Sequence, residues 1–170
     1  MKFSEKVFRL IDLKNPPELL LRRRDAVSSL ADLRTSEGWM DSNVNETLSG
    51  LILLWHDHWT ESHAIAQSHE GVRDFDLLHA IGHRREGDFG NSAFWFQEAG
   101  HHPMYEKLSY SVNELIGKNL ELKRILLPKG KWDSQAFVKS VKQNPDNSVL
   151  RSIQSLEFQC FLDFLVSDSK

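Results

Sequence analysis

The chain has 170 residues, of which 40% are hydrophobic and 26% charged, a composition typical of one folded domain and not of a disordered chain. Its formal net charge is −3, and the longest basic run, Arg22 to Arg24, would point to different sides of a helix, which argues against nucleic acid as a partner. The single cysteine, Cys160, excludes an internal disulfide, and no apolar run is long enough to span a bilayer, so we expect a cytoplasmic protein without membrane contact.

The first part of the chain predicts three helices. Ser4 fits the cap of a short helix that ends near Leu13, and two prolines fit the first turn of a second helix over residues 15–33. Residues 34–43 contain Gly, Ser and Asp and predict a loop. A long third helix is predicted over residues 44–68, because five large apolar side chains recur at three- and four-residue steps: Leu48, Leu51, Ile52, Trp55 and Trp59.

Glycine, proline and capping residues divide the rest of the chain into further helices. They are predicted over residues 74–85, 92–99 (capped by Asn91 and followed by Gly100), 103–116, 133–142 and 147–166. In the last of these, Cys160 falls on an apolar face, where a thiol behaves as a small buried hydrophobe. No segment alternates like a strand. The sequence therefore predicts an all-α class, with six to eight helices in a single compact bundle or in stacked helical hairpins, and one domain over residues 1–170.

All eight histidines lie between His56 and His102. On the predicted long helix, His56 and His63 are about two turns apart and share a face. On the next helix, His79 and His83 are one turn apart, a spacing at which two imidazoles can bind one divalent metal ion. We therefore consider these four histidines as metal ligands. Position 80 is alanine where zinc proteases of the HExxH type carry glutamate, so that class is excluded.

A charged run, HRREGD, begins at His83 and continues past the end of the same helix. Arginine forks suit carboxylates and phosphates, and histidine beside a carboxylate suits acid–base catalysis. We predict catalytic roles for His79, His83, Glu86 and Asp88, and binding of a small polar or anionic molecule by seven other residues: His56, Asp57, His63, Arg84, Arg85, Asn91 and Trp95. The alternative is an ordinary helix end, at which the arginines meet the helix dipole and the carboxylates form surface ion pairs.

Two longer strings resemble a known family. Residues 53–67 read LLWHDHWTESHAIAQ, and residues 79–100 read HAIGHRREGDFGNSAFWFQEAG, with HP at 102–103. They resemble a family of small microbial helical proteins that carry WHDxxxxSHxxAQ and HxxxHRREGDxxNxxYWF motifs and a GxHP ending. That family has no established activity, so the resemblance implies which residues matter without implying a reaction: His56, Asp57, His63, Gln67, His79, His83, Arg84, Arg85, Glu86, Asp88, Asn91 and Trp95. Phe94 stands where the family commonly has tyrosine, so a hydroxyl there is dispensable.

Residues 80–103 also resemble, more weakly, one helical hairpin of the tetratricopeptide type. The residues that fall near its small and aromatic positions are Ala80, His83, Ser92, Phe96 and Ala99, and Pro103 falls near its terminal proline. Only one such unit is found and a solenoid needs about three, so the resemblance implies local hairpin geometry and not a binding array.

Three interpretations of the histidine-rich segment stay open. It could be a divalent metal site that activates water, a metal-free polar pocket for acid–base chemistry, or a structural hydrogen-bond network inside a helical-hairpin interaction module. The third interpretation predicts that buried histidines hydrogen-bond to backbone or carboxylate groups, with Asp76 and His79, one turn apart, as such a pair.

Overall fold

The structure, a computed structural model, describes residue 11, residues 13–21 and residues 43–168. Within these residues the chain forms eight α-helices and no β-strand, which confirms the predicted all-α class. Most of the predicted helices over residues 4–13 and 15–33, and the arginines at 22–24, lie outside the described residues. In chain order the helices are α1 (Asn43–Trp55), α2 (Trp59–Gln67), α3 (Arg73–Glu86), α4 (Phe89–Ala99), α5 (Met104–Ile116), α6 (Leu120–Leu126), α7 (Ser134–Gln143) and α8 (Ser148–Asp168), with a 3₁₀ turn at Pro128–Gly130.

Apart from α6, for which no helix was predicted, the helices after residue 73 begin and end close to the predicted boundaries, because a side-chain cap or a glycine with positive φ marks at least one end of each. The carboxylate of Asp133 accepts a hydrogen bond from the backbone N–H of Ala136 at the start of α7, at 2.9 Å. The prediction was wrong for the start of α4. Asp88, not Asn91, is the capping residue: its carboxylate accepts from the Asn91 N–H at 3.1 Å, so α4 begins three residues earlier than expected.

The predicted long helix over residues 44–68 is wrong, because the chain breaks between α1 and α2. Asp57 lies in the break with φ of 64°, a left-handed conformation that a residue with a Cβ rarely adopts without tertiary support. Arg85 of α3 provides that support. Its guanidinium donates to the Asp57 carboxylate at 2.5 Å and to the carbonyl of Leu54 at the end of α1. The break therefore turns α2 away from the axis of α1.

Residues 16–21 are not helical, although two prolines at 16 and 17 suggested a helix start. The carbonyl of Glu18 accepts hydrogen bonds from Gln154 at 3.0 Å and from Arg85 at 3.3 Å. The N–H of Leu21 donates to the Arg85 carbonyl at 2.7 Å. These side-chain and backbone partners on α8 and α3 replace the hydrogen bonds of a helix, so the segment packs on these two helices in an irregular conformation.

Helix α3 lies at the centre of the described fold. Every residue from Phe75 to Arg85 is buried, and α3 contacts α1, α2 and α4. The hydroxyl of Ser92 on α4 donates to the carbonyl of Ala80 at 2.9 Å, which joins α3 and α4 in a close helical hairpin. Helix α8 packs against α1 and α5, and α7 packs against α4, so the helices form a compact bundle.

The core of the bundle contains a buried ion pair. Both terminal nitrogens of Arg84 on α3 donate to the carboxylate of Glu157 on α8, and neither side chain has exposed surface. Breaking one partner of such a pair leaves an uncompensated charge in the core, which is far more costly than losing a surface pair. Cys160, one turn further along α8, is also buried, and burial raises the pKa of its thiol to about 11, as expected for a small hydrophobe.

Among the residues that the structure describes, no helix is both long enough and apolar enough to cross a membrane.

We predict that Glu157→Gln lowers the free energy of unfolding by about 3–5 kcal/mol, because it leaves the Arg84 charge buried without a carboxylate. Equilibrium urea denaturation measures this loss. Asp163→Asn on the same helix is the matched control, since the Asp163 ion pair with Lys107 is partly exposed and its loss costs less than about 1 kcal/mol. Equal losses in the two variants would contradict the prediction.

Candidate metal centre

One buried stripe of α3 provides the base of the candidate site. His79, His83 and Glu86 follow one another at steps of four and three residues, and Gly82 lies three residues after His79, so all four share a face of the helix. His79 is only 2% exposed and His83 only 8% exposed. Glu86 ends the stripe at the surface, where its carboxylate lies 3.1 Å from Nδ1 of His83.

Helix α2 adds a third imidazole to this stripe. The ring centroid of His63 lies 4.7 Å from that of His79 and 5.3 Å from that of His83. Each of the three residues offers a ring nitrogen within 4.8 Å of the other two. In the described part of the chain, they form the one group of histidine, cysteine or carboxylate side chains that converges closely enough to hold a metal ion. The predicted ligands His63, His79 and His83 are therefore brought together.

Two tryptophans form the walls of this histidine group. The Trp59 ring lies against Gly82, so closely that a Cβ at residue 82 would be 2.1 Å from the ring. The same ring contacts His83 with centroids 5.1 Å apart. On the other side, Trp95 of α4 stacks on His79 at 4.2 Å with an angle of 23° between the rings. The imidazoles are therefore enclosed by aromatic surfaces.

His79 differs from the other buried polar groups of α3 because neither of its ring nitrogens has a hydrogen-bond partner. The predicted pair with Asp76 is wrong. The Asp76 carboxylate instead accepts from the backbone N–H of Gly71 at 3.0 Å. An unpartnered buried polar group costs about 1–3 kcal/mol, so a fully buried imidazole with two such nitrogens needs a further explanation.

The surroundings of two of these histidines favour the neutral imidazole. Burial, followed by the neighbouring His83 and His63, lowers the pKa of His79 from 6.5 to about 3. Burial and His83 also lower the pKa of His63, against the opposing charges of Glu86 and Glu70. Neutral imidazole is the form that binds metal, so His79 and His63 need little deprotonation to act as ligands at neutral pH.

The two arginines that were predicted to bind a ligand do not lie at an exposed surface of the site. Arg84 and Arg85 are both completely buried. Arg84 binds Glu157, and Arg85 binds the carboxylate of Asp57 and backbone carbonyls. We expected these arginines to face an anionic ligand or to meet the helix dipole at a surface, but both are buried. Carboxylate partners that are distant in sequence make this burial favourable.

The other predicted site residues lie around the group and not inside it. His56 and Asp57 lie in the break between α1 and α2, and the converging set does not include His56. Asp88 and Asn91 form the exposed cap of α4, where the Asn91 amide donates to the Asp88 carboxylate at 2.8 Å. Their predicted catalytic and binding roles stay predictions.

His102 has a separate, local role. Its Nε2 lies 2.9 Å from a carboxylate oxygen of Asp74, and its Nδ1 accepts from the backbone N–H of Met104 at 3.2 Å. It thereby satisfies a free N–H at the start of α5.

Gly82 and Trp59 lie beside the histidine group, although neither was predicted from the sequence as part of the site. Gly82 lies between two histidines on a helix that is otherwise well packed, and such a glycine marks a close approach by another group. That pattern could have indicated the contact, although not which side chain makes it.

Comparisons of the chain with family models, with curated proteins and with solved structures gave no significant match. The resemblance described from the two sequence strings therefore stays a prediction, and the argument for function rests on the geometry of the site.

We predict that Gly82→Ala destabilises the protein by about 1–3 kcal/mol, because the new Cβ forces the Trp59 ring away from the histidines. Urea denaturation gives the loss, and tryptophan fluorescence reports the change in the environment of the ring. Gly90→Ala is the control, since a Cβ there meets only a carboxylate oxygen of Asp88 at 3.6 Å and improves helix propensity. If Gly82→Ala leaves both the free energy of unfolding and the tryptophan emission unchanged, the contact between Gly82 and the Trp59 ring is absent.

The lowered pKa of His79 predicts that the metal-free protein loses stability in acid. The unfolded chain binds a proton near pH 6.5, whereas folded His79 does so near pH 3, so its contribution is complete above 6.5 and decreases as the pH falls toward 3. Urea denaturation between pH 7 and 4.5 should show that wild type loses up to about 1.4 kcal/mol per pH unit more than His79→Gln. Parallel stability curves for the two proteins would contradict the shift.

Proposed function

We propose that this protein binds one divalent transition-metal ion, zinc first among them, through His63, His79 and His83, and that the bound ion activates water for a hydrolytic reaction. The observation that carries the proposal is the convergence of three imidazoles around His79, a fully buried histidine whose nitrogens have no hydrogen-bond partner. A metal ion would satisfy one of these nitrogens and offset the cost of burying it.

The ligand set favours particular metals. Three imidazoles without a thiolate or a converging carboxylate suit Zn²⁺, Cu²⁺, Ni²⁺ or Co²⁺, whereas Mg²⁺ and Ca²⁺ prefer oxygen ligands. Nitrogens that share one tetrahedral zinc ion at about 2.1 Å lie about 3.4 Å apart. The present separations, up to 4.8 Å, require a small closure of the three side chains. His63 is only half-buried and on a different helix, so it is the ligand with room to move.

The residues beside the ligands support this assignment. A metal-binding histidine usually donates its second N–H to a carboxylate, which fixes the ring and its tautomer. Glu86 is positioned to accept from Nδ1 of His83, which leaves Nε2 for the metal. Three protein ligands leave a fourth position open, and zinc in such a site lowers the pKa of a bound water molecule to about 7.

The interaction-module alternative is less well supported. It requires the histidines to act as a hydrogen-bonded network, but the described contacts among these rings are stacked or edge-to-face, and His79 makes no hydrogen bond. Membership of the microbial family suggested by the sequence strings, and a cytoplasmic location, belong to the proposal as well.

Calorimetric titration of the metal-free protein with Zn²⁺ tests the proposal. We expect one equivalent to bind, and alanine at residue 63, 79 or 83 to weaken binding by more than about 100-fold, because each removes a ligand. Glu86→Gln should weaken binding by about 10- to 100-fold, since it removes only the carboxylate behind His83.

His56→Ala and His101→Ala are the matched controls, because neither histidine belongs to the converging group, and both should retain wild-type affinity. Circular dichroism verifies the fold, and half-buried His63 is the variant least at risk of unfolding.

Zinc-dependent hydrolysis of p-nitrophenyl acetate that is lost with His63→Ala would support the reaction class. Equal zinc affinity in all variants would contradict the site.

A further inference from the structure

We infer that the open position of the metal centre accepts an uncharged molecule with a flat apolar ring, in preference to an anion. This inference rests on the proposed function and adds the class of ligand. Of the polar or anionic ligands expected from sequence, it favours an uncharged one, because the two arginines that suggested an anion are buried in the core.

The charges that act on the site are negative. The carboxylate of Glu86 lies 3.1 Å from His83, and it also acts on His63 together with Glu70. A bound divalent ion contributes two positive charges, and its charge must be included. The carboxylates of Glu86 and Glu70 offset part of those two charges, so the loaded site attracts an incoming anion less strongly than the ion alone would.

The surfaces beside the histidines are aromatic. Half-buried Trp95 stacks on His79, and Phe94 packs edge-to-face on Trp95 with centroids 5.2 Å apart. Phe94 is 52% exposed, although it belongs to α4, which packs against the buried α3. An exposed phenyl ring that packs on a tryptophan in contact with a proposed metal ligand provides a flat apolar surface beside the metal centre. Planar rings stack on such surfaces.

The test uses the full chain loaded with Co²⁺, whose visible spectrum changes when a ligand enters the open position. The probes are imidazole, 4-phenylimidazole and benzoate. We expect 4-phenylimidazole to bind about tenfold or more tightly than imidazole, because its second ring contacts the aromatic surface. Benzoate, which has the same ring with a negative charge, should bind more weakly than 4-phenylimidazole.

Two variants separate the ring surface from the charge. Phe94→Ala should reduce the preference for 4-phenylimidazole over imidazole while leaving imidazole affinity unchanged, since Phe94 does not contact a ligand histidine in the described contacts. Glu70→Gln should raise the affinity for benzoate severalfold and leave 4-phenylimidazole unaffected.

The outcomes distinguish this inference from the proposed function. A cobalt spectrum with benzoate equal to or tighter than 4-phenylimidazole, or with equal affinities for 4-phenylimidazole and imidazole, would overturn the ligand class and leave the metal site standing. If neither wild type nor the His63→Ala variant gives a cobalt spectrum, the metal site and the ligand class are both wrong.

Discussion

The buried guanidinium of Arg85 is the interaction on which the arrangement of the site depends. It donates to the Leu54 carbonyl at the end of α1, to the Asp57 carboxylate in the break, and to the Glu18 carbonyl of the irregular segment at residues 16–21. Because the break is held in this way, α2 packs across α3 and does not continue the axis of α1. His63 on α2 thereby reaches the two histidines of α3. The ion pair of Arg85 and Asp57, which lies outside the histidine group, thus determines the position of His63, the third proposed ligand.

The polar side chains of α3 show why His79 is assigned a function. A helix buried on every side can carry charged groups only when each has a partner. Arg84, Arg85 and Asp76 meet this requirement through a carboxylate, backbone carbonyls and a backbone N–H, respectively. His79 does not, although it is buried as deeply. The exception lies where two further imidazoles converge, which is the arrangement expected when a metal ion is the intended partner.

Local chemistry was sufficient to predict much of the fold and to place two of the three proposed ligands on one helix face. Helix ends marked by Gly100 or Asp133 were predictable because their causes lie within a few residues, and the spacing of His79 and His83 already placed both on one face. No neighbouring residue predicts the break at Asp57, since the apolar stripe continues past it. Aspartate also seldom ends a helix in a left-handed conformation. Nor could local sequence show that the partner of Arg84 is Glu157, 73 residues away.

The most direct test of the central claim is an anomalous difference map at the zinc absorption edge, from crystals of the zinc-loaded protein. The account predicts one strong peak about 2.1 Å from a ring nitrogen of each of His63, His79 and His83, with a non-protein ligand completing the coordination. Peaks only at exposed side chains such as His101 or Glu70, with none among the three histidines, would contradict it.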